Sequence, residues 1–214
     1  MLDKTQLNKS DILLLKHADN SCSLRFYLNF LQSLKVKRPY RFSHIQSQAT
    51  LIEYLSLKQN IQLDTLMPSF ESDKDYELQK LIKNCSNPYL EKILENIGHL
   101  DQFPKQIDPE KRKLVSFAKS LLQQSDYLFI DRPENDLCEN YLSLIMDAIK
   151  YQAHKNGQII IISSNKQEYW EQYVTKVIER DEKKKFLVTS PVAKIIKIDD
   201  FRDSQVATIE KKSA

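Results

Sequence analysis

The segment that most constrains this chain is 107–165, where helix, strand, helix and strand patterns follow one another. Asp108 is a good N-cap, Pro109 suits the first helical position and Glu110 complements the helix dipole. Leu114, Val115, Ala118, Leu121 and Leu122 then recur at helical spacing. The apolar run Tyr127-Leu-Phe-Ile130 is too short for a helix and fits a buried strand. Asp131 closes it, at the sheet edge where open α/β folds hold their ligands. After Arg132 and Pro133 an amphipathic helix runs from about Glu139 to His154. A second apolar strand, Ile159 to Ile162, ends at Ser163-Ser-Asn165. That alternation predicts an α/β fold with a mainly parallel sheet flanked by helices.

The preceding residues repeat the theme. Ile12 to Leu15 reads as a short buried strand, and His17-Ala-Asp-Asn-Ser-Cys-Ser23 as a turn of small polar residues. A helix over 24–34 follows, with Phe26, Tyr27, Phe30, Leu31 and Leu34 as its apolar set. Lys35-Val-Lys-Arg-Pro39 is a basic, solvated link, and Arg41 to Ile45 a strand. Gln46-Ser-Gln48 begins a polar turn. Asp75 to Asn84 reads as a helix, and a second one has Asn87 as N-cap, Pro88 at its first position and Gly98 at its stop. Beyond Asn165, a short helix is expected over Gln167–Tyr173, with Trp170 packed on the sheet. Strands are expected at Val174–Glu179, Lys185–Val188 and Val192–Ile198, and a disordered tail over 204–214.

Composition narrows the function classes. A chain of 214 residues can bury a full core. Its 32 basic and 29 acidic residues give a net charge of +3, which does not predict nucleic-acid binding. No apolar run approaches the ~18 residues of a membrane span, and Met-Leu-Asp-Lys4 lacks a signal-peptide core. Three widely spaced cysteines suit a reducing compartment. His17, His44, His99 and His154 show no metal-ligand spacing, so no metal is expected.

In order and spacing, these elements resemble the nucleotide-binding domain of ATP-binding cassette (ABC) proteins over roughly Ser10 to Val188. Ile107-Asp-Pro-Glu-Lys111 stands where that family has its Leu-Ser-Gly-Gly-Gln signature, and Arg112 to Leu121 follows the signature helix. Asp131-Arg-Pro133 falls on the Walker B sequence Asp-Glu-Pro, and Glu134-Asn-Asp-Leu-Cys138 on the D-loop. Gly157 to Asn165 falls on the H-loop strand. Leu55-Ser-Leu-Lys-Gln-Asn-Ile61 is similar to the segment after the Q-loop, whose glutamine is Gln46 or Gln48. The resemblance implies a P-loop-NTPase-like fold with an inserted helical subdomain and a truncated N-terminal antiparallel subdomain. It divides the chain into 1–48 (first part of the core), 49–106 (helical subdomain), 107–203 (signature helix and remaining core) and 204–214 (tail).

The motif chemistry departs from that family. A P-loop wraps phosphates with backbone amides in conformations that favour glycine, and its lysine neutralises charge. Here the turn is Ala18, Asp19, Asn20, Ser21, Cys22, Ser23, Leu24; either Ser23 or Leu24 stands at the lysine position. The chain's two glycines, Gly98 and Gly157, are elsewhere. Arg132 replaces the glutamate that polarises water, and a cation cannot be a base at neutral pH. Asn165 replaces the H-loop histidine. Asp108, Pro109 and Glu110 put acid where the signature would meet phosphate. Asp131 alone is retained at Walker B.

The resemblance then implies an inactive ATPase without catalytic residues, cofactor or metal. Its expected role is as a structural or regulatory partner of a membrane-spanning transporter subunit. Another ABC ATPase-like subunit, or a second copy, is the other implied partner. The expected location is cytoplasmic, at the inner face of the cell membrane when bound. A soluble interaction protein reusing the fold outside transport is the alternative, and an unorthodox ATP-binding protein a third.

Overall fold

A computed structural model describes residues 7–16, 24–33, 40–63, 74–180 and 186–189. In chain order these are β1 (Ile12–Lys16), α1 (Leu24–Ser33), β2 (Phe42–Ile45), α2 (Leu57–Gln62), α3 (Lys74–Cys85) and α4 (Pro88–Ile97). A single 3₁₀ turn at Pro104–Gln106 leads to α5 (Pro109–Leu122), β3 (Tyr127–Asp131), α6 (Glu139–Asn156), β4 (Ile159–Ser163), α7 (Gln167–Glu171), β5 (Lys176–Arg180) and β6 (Phe186–Thr189). The strands form one sheet in the order β2-β3-β4-β1-β5-β6. Every neighbouring pair is parallel except β5–β6. This is the expected mainly parallel α/β sheet.

Local chemistry sets the ends of the elements. Asp108 caps α5 by accepting the Lys111 N–H at 2.8 Å, and Pro109 follows at the first helical position. Asn87 caps α4, and Ser56 with Gln59 forms a capping box on α2. Gly157 ends α6 at φ 65°, in the left-handed region where a Cβ is strained.

Several boundaries shift by a residue or two from expectation, and hydrogen bonds explain two of them. The fifth strand begins at Lys176, two residues after Val174, because Thr175 serves β1: its N–H donates to the Ile12 oxygen at 2.7 Å and its hydroxyl accepts the Ile12 N–H. The helix after Asn165 stops at Glu171, and Tyr173 lies in a turn whose N–H bonds the Trp170 oxygen. The strand expected at Val192–Ile198, the tail, Phe26's side chain and Leu34 lie outside the described residues.

Strand alternation sorts the core into two layers. Ile12, Leu14, Leu128, Ile130, Ile160 and Ile162 face the layer built with α2 to α6 and Trp170. Leu13, Leu15, Phe129, Ile161 and Ile178 face Tyr27, Phe30 and Leu31 of α1. Sheets covered on both faces read as continuous apolar runs, which is why these strands carry little polar alternation. Residues of the 49–106 segment belong to the first layer: Leu57, Ile61, Leu90, Ile93 and Ile97 are fully buried with Leu114 and Phe117 of α5. At about 1.5–3 kcal/mol for each buried aliphatic side chain, this packing fixes α5 against the sheet.

Candidate functional site

Neighbouring strand ends define the site. Because β2, β3 and β4 lie side by side, the 46–48 turn, Asp131–Glu134 and Ser163–Asn165 emerge at one sheet edge. Asp131 pairs in register with Ser163. Arg132 then turns sharply, at φ 44°, with its N–H donating to the Ser163 oxygen at 2.7 Å and its oxygen accepting from the Asn135 N–H. A non-glycine residue in that region costs about 1–2 kcal/mol, so the surrounding bonds hold a strained turn in place.

Asp131 is half-buried, and one of its carboxylate oxygens, Oδ1, has no hydrogen-bond partner among the described residues. Burial pushes its pKa up. Arg132, Lys113 and the Ser47 backbone amide pull it down, against a further push up from Glu134. Lys113 is fully buried on α5 and donates to the Gln46 oxygen at 2.5 Å and the Ser47 oxygen at 2.8 Å. Burial lowers its pKa to about 8, although Asp136, Asp131 and Glu134 favour its charge. Asp131 thus lies within electrostatic reach of two cations, Arg132 and Lys113, and Lys113 is fixed by the Gln46–Ser47 turn.

The other acidic residues are engaged within the chain. Glu134 Oε1 accepts from the Ser164 hydroxyl at 2.6 Å and the Asn165 N–H at 3.2 Å, and Oε2 accepts from the Trp170 indole at 3.1 Å. Glu110 Oε1 accepts the Cys138 N–H at 2.6 Å, tying the start of α5 to the cap of α6. Asp108 caps its own helix. In the stretch that the resemblance sets against the signature, two carboxylates hold backbone amides.

The sequence-derived candidates divide as follows. Asp131, Arg132 and Asn165 share the sheet edge, and Asn165 contributes its backbone N–H. Gln46 and Gln48 are both exposed there; the Gln46 side chain accepts from the Thr50 hydroxyl at 2.6 Å. Ala18, Asp19, Asn20, Ser21, Cys22 and Ser23 lie outside the described residues, and Leu24 is the first residue of α1. Lys113 and Glu134 were missed as site residues. Lys113 lies four residues before the buried Phe117, so extending the helical period one turn back places a lysine on the inner face. Glu134 carries no local signal. Among the described residues no group of His, Cys, Asp and Glu could hold a metal ion, and no helix is long and apolar enough to cross a membrane.

No family model and no curated protein matches the sequence. Solved structures do match the fold. An ATP-binding subunit of an ABC transporter aligns at a TM-score of 0.65 and 16% identity, covering 92% of this chain and 82% of that one. The cbiO1 protein of Clostridium perfringens, part of an ABC transporter complex, aligns at 0.60 and 15%, covering 92% and 84%. A dimeric ATP-binding cassette in a post-hydrolysis state bound to ADP and Pi aligns at 0.60 and 14%, covering 80% and 81%. At these identities the likeness is one of architecture, and the chain has the P-loop NTPase fold of ABC ATP-binding subunits.

Proposed function

We propose that this protein is a non-catalytic ABC ATPase-like subunit. In this reading it is a structural or regulatory partner of a membrane transporter or related membrane complex, without a normal ATP hydrolysis cycle. The observation that carries this reading is Arg132. A guanidinium follows Asp131, locked in a left-handed turn, where the resemblance would place the base that activates water. Glu134, two residues on, is committed to three donors.

The donor set does not fit a magnesium nucleotide. Asp131 offers one free oxygen beside Arg132 and the buried Lys113, and a divalent cation there would meet two positive charges. The substituted turn at 18–24 adds neither glycine nor lysine. Partner binding is supported by two exposed aromatics on neighbouring segments. Tyr54 is 80% and Phe103 45% exposed, on segments joined by the Leu57 N–H to Gln102 oxygen bond. In this role the protein works in the cytoplasm, against a membrane-spanning subunit or another ABC ATPase-like chain.

Calorimetry with millimolar Mg·ATP tests the first half. The expected result is no saturable heat and no turnover, in the wild type and in Arg132→Glu. Saturable binding abolished by Asp131→Ala, or turnover in either protein, overturns it. Affinity capture from detergent-solubilised membranes tests the second half: a multi-spanning partner is expected, and exclusively soluble partners would refute the membrane role.

A further inference from the structure

The sheet has an open side at β2, the end strand, which among the described strands is bonded to β3 alone. The hydrogen bonds at its start show which backbone groups β3 takes up. The Arg41 N–H donates to Asp126 Oδ2 at 2.7 Å, and the Arg41 oxygen accepts the Asp126 and Tyr127 N–H groups at 2.9 and 3.2 Å. Phe42 stands in register with Tyr127, and His44 with Phe129. In a parallel ladder with that register, Tyr127 bonds to the two neighbours of Phe42, and Phe129 to the two neighbours of His44. The N–H and C=O groups of Phe42 and His44 therefore point away from β3. None of these groups has a hydrogen-bond partner among the described residues.

A groove of about 310 Å³ runs along that side. Phe42, Ser43 and His44 line one wall of it. Leu51, Ile52 and Leu63 line another, beside Ser116 of α5. No described residue of β3 lines it, so it lies where the open backbone groups point. Edge strands are commonly shielded by proline, lysine or a bulge. β2 reads Phe-Ser-His-Ile, its register is unbroken, and Phe42 is 39% exposed.

The chemistry of the edge selects its occupant. Donors and acceptors that recur along an extended strand are matched by another extended backbone. The groove has space for one such segment, and not for the sheet edge of a second copy with helices on both faces. Leu51, Ile52 and Leu63 favour β-branched side chains on that segment.

We propose that β2 is a docking strand. An extended segment of a partner protein, bearing β-branched side chains, lies in the groove and adds a strand to the six-stranded sheet through the backbone of Phe42 and His44. This docking does not depend on whether the protein hydrolyses ATP.

Amide hydrogen exchange of the ¹⁵N-labelled full chain tests it, read by nuclear magnetic resonance. The probe is the capped peptide Ser-Val-Thr-Val-Thr-Val-Ser at millimolar concentrations. At saturation, exchange at the Phe42 and His44 amides is expected to slow about tenfold or more, while Ser43 and Ile45, already bonded to β3, stay unchanged. The same peptide with every internal nitrogen methylated keeps its side chains, has no backbone donor, and is expected not to bind. Phe42→Pro removes an outward donor without breaking a bond to β3, and weakens binding about tenfold. The methylated peptide decides the matter even where that variant fails to fold. Unchanged exchange at Phe42 and His44, or equal binding of the methylated peptide, would overturn the proposal. Slow exchange at both amides in the free chain would also overturn it, because the edge is then already filled by the chain itself or, where dilution releases it, by a second copy.

Discussion

Removal of Glu134 is the most direct test of how the site edge is held. In Glu134→Ala the Ser164 hydroxyl, the Asn165 N–H and the Trp170 indole lose their shared acceptor. Asn165 is exposed, so water replaces that bond at little cost. Ser164 and Trp170 are 5% and 0% exposed, and water does not reach them as easily. Each hydrogen bond to a charged group contributes about 1.5–3 kcal/mol, and a buried donor left unmet costs about 1–3 kcal/mol. Discounting for the half-exposed carboxylate, the expected loss is about 2–4 kcal/mol, a large share of a typical stability of about 5–15 kcal/mol. Glu134→Gln keeps one acceptor oxygen, so about half that loss is expected. Trp170 is the only tryptophan in the chain, so its fluorescence in urea reports both unfolding and its own hydrogen bond. Glu95→Ala, on the exposed side of α4, is the control. A Glu134→Ala protein within about 0.5 kcal/mol of the wild type, with unchanged native emission, would refute this account.

Two further expectations follow from the same edge. His44 sits on β2 with Nε2 buried and without a hydrogen-bond partner among the described residues, and burial, then Lys113, lowers its pKa from 6.5 to about 4. The unfolded chain therefore takes up this proton first, and stability falls as pH drops from 6.5 to 4, by about 3 kcal/mol at full effect. In equilibrium unfolding at several pH values, His44→Phe should flatten that acid limb, and an unchanged slope would count against it. Arg132 stands at φ 44°. Arg132→Gly should match or exceed the wild type by up to about 1 kcal/mol, whereas Arg132→Val should lose more than about 1 kcal/mol. Melting temperatures in the reverse order would remove the strain argument.

Much of the fold was legible because its signals are local. The Asp108 cap, the Pro88 and Pro109 helix starts, the Gly157 stop and the apolar runs at Leu128–Ile130 and Ile160–Ile162 each depend on a few adjacent residues. Strand order could be expected only in outline, since hydrogen bonding places Thr175 on β1, 163 residues away, and delays β5. Asp131 could be placed at a strand end, but not between Lys113 and Arg132. The Lys113 contact spans 67 residues to Gln46, and a lysine inside an apolar stripe reads locally as a surface charge. Glu134 was legible as part of a loop, and its three partners only through the β4–α7 connection.

The residues that the resemblance sets against the ABC motifs share a physical consequence. Asp108 and Glu110, where the resemblance would expect small signature residues, hold the Lys111 and Cys138 amides. Glu134 joins the ends of β3 and β4 through Ser164 and Trp170. Lys113 ties α5 to the turn after β2. A site that relies on a bound ligand gains stability by mass action when the ligand arrives and loses it when the ligand leaves. Here the bonds named above come from the chain itself. That independence is what the proposed role requires. A subunit whose face must stay constant for a partner is served by an edge held together by its own carboxylates and lysine.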